Sequence, residues 1–311
     1  MSETYLNFAF IITVLQAAIR MSTPLIWATM GGIFSEKAGV LSIGMEGILL
    51  VGAFGGFIGA FYTGNLLLGV LIAMLAGGIT AAIYGYLTVK IGGSQAVVGT
   101  ALVLFAAGIT GFLYRAIFGV SSNLTNVGMF SDLKIPVLSR IPYIGSILFE
   151  QNVLVYLGFM VVLITWFTLY RTAWGLEIRS IGEHPEAADT VGLNVNLYRN
   201  ICVLISGLLG GIGGAYLSLA NANTFVEMMS AEKGYMAFAI IILGKYNPLG
   251  ALLGCLLFGF ADALQLRLQA SGINIPFQFL LMLPYVLTLG VTASAGRAEK
   301  PAALARPYKK N

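Results

Sequence analysis

The only histidine of this 311-residue chain, His184, lies in the run GEHPEAADTVG, which places Gly182, Glu183, His184, Pro185, Glu186, Ala187, Ala188, Asp189 and Gly192 within eleven positions. An imidazole among carboxylates could move a proton, but no Ser, His and Asp set suggests hydrolysis, and the run reads instead as a folded loop. Pro185 suits the first position of a short helix over 185–191 and Gly192 its stop. Glu186 and Asp189 then lie near the positive end of the helix dipole. No G-x-x-x-x-G-K-[ST] phosphate loop occurs, so the chain itself is expected to bind no ATP and no other cofactor. Cys202 and Cys255 lie inside apolar runs and read as inert core residues, with neither a disulfide nor a metal site implied.

The elements that must hold this run are oily. Hydrophobic residues make up 58% of the chain and charged residues 10%, and mean hydropathy is +0.88. Soluble domains carry roughly 25% charged residues. The expected fold class is an all-α polytopic membrane protein, one transmembrane domain over 1–311 in the lipid bilayer. Apolar runs approach the roughly 20 residues that cross a bilayer at 41–62, 66–89, 96–118, 153–170, 201–220, 249–268 and 276–293. Two pieces are less regular: 6–34, broken by Arg20 and Pro24, is one bent helix or a span plus a half-helix, and 234–243 is short. Nine or ten membrane segments are expected.

Positive charge orients the bundle. The loop 171–199 carries Arg171, Arg179 and Arg199, and the basic tail 295–311 carries Arg297, Lys300, Arg306, Lys309 and Lys310, so both are expected in the cytoplasm and the charge-balanced 119–152 loop outside. The N-terminus lacks a basic n-region and is expected to be retained. The net charge of +4 is scattered over helix ends and the tail, which argues against nucleic acid.

Many of the 39 glycines recur four apart, as at Gly52 and Gly56, Gly207 and Gly211, and Gly250 and Gly254. That spacing predicts close helix packing. The segments ATMGGIFSEKAGVLSIGMEGILLVGAF and AFAIIILGKYNPLGALLGCLLFGFADAL each interrupt an apolar run with a Gly-rich polar stretch holding Lys37 or Lys245, then resume with a carboxylate, Glu46 or Asp262. Interrupted helices in corresponding halves point to an internal two-fold pseudo-repeat and a translocation pathway. Ser35, Glu36, Ser42 and Glu46 at the first break, with Tyr246 and Asn247 at the second, are the lining candidates; the alternative is that they stitch broken helices together. No span contains histidine, which disfavours a proton relay, whereas a sodium site built from carbonyls stays open.

In series, GGIFSEKAGVLSIGMEGILLVGAF, RTAWGLEIRSIGEHPEAADTVGLNVNLYR, ILGKYNPLGALLGCLLFGFADALQLRLQ, MLPYVLTL and GRAEKPAALARPY resemble the permease subunits of bacterial ABC importers for simple sugars and nucleosides, and most of all the second permease of guanosine-type systems that work with a Bmp-family lipoprotein. The resemblance covers almost the whole chain. It implies a cytoplasmic-membrane permease that is not itself an enzyme, paired with a longer sister permease. A cytosolic ABC ATPase with duplicated nucleotide-binding domains, which holds the ATP and Mg, would drive it, and an extracytoplasmic Bmp-type lipoprotein would deliver solute. It also implies that 182–192 is the coupling helix, with Ala187 and Ala188 giving a slim face for a groove on the ATPase. A ribose or galactose importer is the alternative within that class, and an ATPase-independent secondary transporter the alternative outside it; a membrane enzyme lacks an acid, base and metal constellation.

Overall fold

A computed structural model describes residues 8–119, 125–134, 143–270 and 300–308, with isolated positions from 136 to 139 and from 278 to 290. The elements run α1 (Phe8–Lys37), α2 (Met45–Thr63), α3 (Leu66–Gly85), α4 (Gln95–Phe118), β1 (Asp132–Lys134), α5 (Ile144–Leu148), β2 (Glu150–Asn152), α6 (Val153–Arg171), α7 (Ala173–Glu183), α8 (Pro185–Thr190), α9 (Val195–Tyr216), α10 (Lys233–Leu243) and α11 (Pro248–Ala270). Short polar side chains start α3, α6, α7 and α9. Asn65 accepts the amides of Leu67 and Leu68, Asn152 that of Val155, Thr172 that of Gly175, and Asn194 that of Leu197, satisfying donors that a helix start leaves unpaired.

Among the described residues, seven helices are long and apolar enough to cross a membrane, with α10 as a shorter apolar helix. The expected total of nine or ten is therefore not reached within them; the 276–293 segment falls largely outside the described residues. The 6–34 ambiguity resolves to a single helix, α1, which runs on through Arg20 and Pro24. Pro24 withdraws one amide, and the hydroxyls of Ser22 and Thr23 donate to the Ile19 carbonyl one turn earlier, the kind of local adjustment that lets proline ride in a membrane helix. Arg20 is drawn out to Asp132 at 2.7 Å. The span expected from 41 begins at Met45, because 38–44 is an irregular connection.

The glycines pack backbone against backbone. A Cβ built on Gly77 would lie 2.4 Å from the Gly207 carbonyl oxygen, and one on Gly52 would lie 2.7 Å from the Gly211 Cα. α2, α3 and α9 thus close to a separation only glycine permits, since in lipid close packing replaces the hydrophobic drive between helices. In the 119–152 loop, β1 and β2 form a two-stranded antiparallel ladder with Leu133 opposite Gln151. Lys134 pairs with Glu150 at 3.4 Å, in keeping with the charge balance of that loop.

The two sequence interruptions meet in space. The Lys37 ammonium at the end of α1 sits 5.7 Å from the ring centroid of Tyr246, in the turn between α10 and α11 where Lys245 and Tyr246 both adopt left-handed φ. Met45, at the start of α2, shares a core cluster with Ala28 of α1 and Ala237 of α10. The carboxylates at the two breaks are placed differently: Glu46 is in the first turn of α2, and Asp262 lies deep in α11 facing Lys233.

Candidate functional site: a clasped polar loop and a broken membrane helix

α6 ends at Arg171, and Thr172 restarts the chain as α7, whose buried face holds Gly175, Ile178, Ile181 and Gly182. His184 breaks the helix with φ −138° and ψ 82°, Pro185 is the first residue of α8, and Gly192 leaves it at φ +91°. Within 182–192, Glu183, His184, Glu186, Ala187, Thr190, Val191 and Gly192 face outward, whereas Gly182, Pro185 and Ala188 face the bundle and Asp189 lies between. Ala187 and Ala188 therefore do not form one slim face. Ala188 packs on Ile181 and Val195 with Tyr198 and Tyr308 beside it, so its smallness serves the interior of the bundle. The outward surface includes Val191, 76% exposed, an apolar residue at the helix tip that sequence reasoning passed over.

Residues 300–308 clasp this loop. The Ala303 amide donates to the Gly182 carbonyl at 2.9 Å, the Ala302 amide to the Glu183 carboxylate at 3.2 Å, and the Ala305 amide to the Gly39 carbonyl at 3.1 Å. Gly182 abuts the end of α1, where a built Cβ would fall 2.1 Å from the Lys37 carbonyl oxygen. Arg199, at the start of α9 and 1% exposed, donates to the Ala38 carbonyl at 3.1 Å and the Arg306 carbonyl at 3.0 Å. One guanidinium thus joins the first interruption, α9 and the tail. The Tyr308 hydroxyl has its pKa raised, first by desolvation and then by hydrogen bonding to Asp189. Arg199 and the tail carbonyls were legible only as basic or featureless sequence.

The six lining candidates are mostly buried and hydrogen-bonded. Ser35 donates to the Val40 carbonyl and Ser42 to the Glu36 carboxylate, closing the 38–44 connection on itself. Ser35 and Ser42 border a void of about 10 Å³. Tyr246 lies beneath Lys37, and Asn247 accepts the Leu249 amide to start α11. Glu46 reaches across to the second half of the chain: its carboxylate accepts the Ser230 hydroxyl, the Glu232 amide at 3.1 Å and the Gly234 amide at 2.6 Å. It thereby caps α10, placing a negative charge at a helix N-terminus. A cavity of about 510 Å³ opens beside that cap, between α1, α10 and α11, and its described lining includes none of the six.

Seven helices of membrane length among the described residues, with a short, clasped polar helix at one end of the bundle, define a multi-pass membrane protein. The chain belongs to the family described as branched-chain amino acid transport system / permease component, whose model matches residues 14–292. It is 38% identical over 308 residues to the guanosine ABC transporter permease protein NupQ of Bacillus subtilis (strain 168), covering 95% of this chain and 96% of that one. To the nucleoside ABC transporter permease protein NupC of Lactococcus lactis subsp. cremoris (strain MG1363) it is 39% identical over 294 residues, 91% of this chain and 92% of that one. The same two organisms hold more distant matches, the permease proteins NupP and NupB, at 25% and 24% identity. Among solved structures, a protein described as a metal-chelate type ABC transporter in an inward-facing conformation superposes with TM-score 0.52 at 15% identity, over 91% of this chain and 85% of that chain. That likeness speaks to the fold alone.

Proposed function

We propose that this chain is a permease subunit of an ATP-driven importer that passes nucleosides, of the guanosine type, across the bacterial cytoplasmic membrane. The observation that carries the reading is the identity of 38–39%, over more than nine-tenths of the chain, to permeases named for guanosine and nucleosides. The pairing of NupQ with NupP, and of NupC with NupB, in one organism each supports a heterodimer with a sister permease. A cytosolic ABC ATPase with duplicated nucleotide-binding domains, holding ATP and Mg, supplies the energy, and a Bmp-type lipoprotein outside supplies the solute.

In this reading α8 is the coupling helix. It docks through Glu183, His184, Glu186, Ala187, Thr190 and Val191, all exposed, while the end of α1 and residues 300–308 share its end of the bundle through the Gly182 contacts. The arginines of 171–199 and the basic tail support a cytoplasmic position for that end. When the ATPase closes, α8 moves with α7 as a rigid body. Gly182 against Lys37, and Arg199 against Ala38, carry the displacement to the 38–44 connection. Ser35, Glu36, Ser42, Glu46, Tyr246 and Asn247 frame the two interruptions that rearrange, and their hydrogen bonds hold those breaks in register.

The test is uptake of radiolabelled guanosine, adenosine, uridine and ribose by proteoliposomes containing both permeases, the ATPase and the lipoprotein. ATP-dependent nucleoside uptake is expected. Uptake of ribose alone would move the assignment to a simple-sugar importer, and uptake without nucleotide would make the chain a secondary transporter.

A further inference from the structure

The cavity beside the Glu46 cap is built from unusual backbone and unusual charge. The chain comes down from α9 through residues 222–232, where Asn223, Met228, Ala231 and Glu232 all take left-handed φ between 46° and 63°. Side chains with a Cβ hold such φ values only where the surroundings enforce them. At the end of the segment Glu46 holds Glu232 and the residues on either side of it in place, by accepting Ser230, Glu232 and Gly234 at once. Unwound backbone at membrane depth is tolerated where it is buried in protein or lines a cavity, and this segment meets a cavity of about 510 Å³, within the range of small-molecule sites.

Its walls divide by chemistry. On one side the Lys233 ammonium faces the Asp262 carboxylate at 4.0 Å, each side chain 14% exposed, with the Gln265 amide beside them. The Tyr285 hydroxyl donates to Glu232 at 3.1 Å. On the other side an adjoining void of about 140 Å³ shares Glu232, Met236 and Tyr285 and adds the rings of Tyr235 and Phe258. A paired ammonium and carboxylate with an amide offer both donors and acceptors, which suits vicinal hydroxyls. Rings and a thioether suit a flat base. The formal charge of the lining, one cation against the carboxylates of Glu232 and Asp262, repels an anion.

We propose that these adjoining cavities at the head of α10 are a solute-binding site of the permease that takes an unphosphorylated nucleoside, with the sugar against Lys233, Asp262 and Gln265 and the base against Tyr235, Met236 and Phe258. The assignment of ligand class rests on the nucleoside reading above; the site itself rests on the geometry.

The test uses the complete reconstituted complex with a thiol reporter at the cavity rim, Leu266→Cys, 47% exposed in the native chain. The native Cys202 and Cys255 are buried and silent to a polar thiol reagent. Guanosine at saturation is expected to slow labelling at position 266 at least fivefold, and guanosine monophosphate to leave it unchanged. Tyr235→Ala is expected to raise KM for guanosine about tenfold, the loss of roughly one base–aromatic contact, with a smaller change in kcat. Guanosine uptake with unprotected labelling, or equal protection by the monophosphate, overturns the site while leaving the transport reading intact. Absence of nucleoside uptake by the unsubstituted complex overturns that reading, and the ligand class assigned here with it.

Discussion

The Gly234 amide donates to the Glu46 carboxylate at 2.6 Å, so the head of α10 hangs from the first turn of α2, 188 residues earlier in the chain. There is no space between the two segments: a Cβ built on Gly234 would lie 2.3 Å from the Glu46 nitrogen. The joint ties the first turn of α2, in the first half of the sequence, to the first turn of α10, in the second.

Glu46→Gln keeps the size of the side chain but turns an amide NH₂ toward Ser230, Glu232 and Gly234, all donors to the carboxylate. Charge-assisted hydrogen bonds contribute about 1.5–3 kcal/mol each. A lower melting temperature in detergent and reduced uptake are expected, and an unchanged melting temperature would remove Glu46 as the anchor of α10.

Ala187→Trp and Ala188→Trp should behave oppositely. Ala187 faces outward, so Trp there is expected to block ATPase co-purification and uptake while the permease reaches the membrane at normal level. Ala188 is 4% exposed among Ile181 and Val195, and Trp there should destabilise the permease by about 1–3 kcal/mol, the range for overpacking, seen as reduced membrane abundance. Equal phenotypes would refute the assignment of faces.

Gly182→Ala places a methyl 2.1 Å from the Lys37 carbonyl oxygen, against backbone that cannot rotate away. The expected result is uncoupling: ATP hydrolysis by the assembled complex continues, and uptake falls at least tenfold. Hydrolysis and uptake falling in proportion would indicate a docking defect instead.

Arg199→Lys retains charge and loses the fork that reaches Ala38 and Arg306 together. One buried carbonyl left without its donor costs about 1–3 kcal/mol. The loss should appear as a lower melting temperature, with residues 300–308 more readily cleaved by protease.

The raised pKa of Tyr308 ties its contribution to alkaline pH. A neutral acid favoured by the fold stabilises below its unfolded value of about 10 and loses that contribution as pH rises through the higher folded value. Wild type and Tyr308→Phe should therefore show parallel melting-temperature profiles from pH 6 to 9 and differ in slope only above that window.

Legibility in the sequence followed the physics of each element. The membrane helices announced themselves by length and apolarity, and the short helix after His184 by Pro185 and Gly192, which act through the local backbone alone. Its facing did not: six residues are too few for a period to emerge, so the inward turn of Ala188 depends on Ile181 and Val195 being there. The breaks at 38–44 and 244–247 could be read from their polarity, but the bond from Glu46 to Ser230, Glu232 and Gly234 joins positions no local pattern connects. Pro24 leaves one bent helix and a span plus a half-helix equally open in the sequence, and the structure takes the single helix, with the hydroxyls of Ser22 and Thr23 donating to the Ile19 carbonyl beside it. The clasp by 300–308 is made mostly of backbone amides of Ala302, Ala303 and Ala305, groups every residue possesses and no composition reveals.

The clasp also imposes an order on biogenesis. Residues 300–308 leave the ribosome after every helix they bind together, so a half-made chain can be threaded into the bilayer while the seat of α8 is still unfinished. Only once Ala302 and Ala303 have been made can Gly182 and Glu183 be held from both sides, so the seat of α8 is finished late in synthesis.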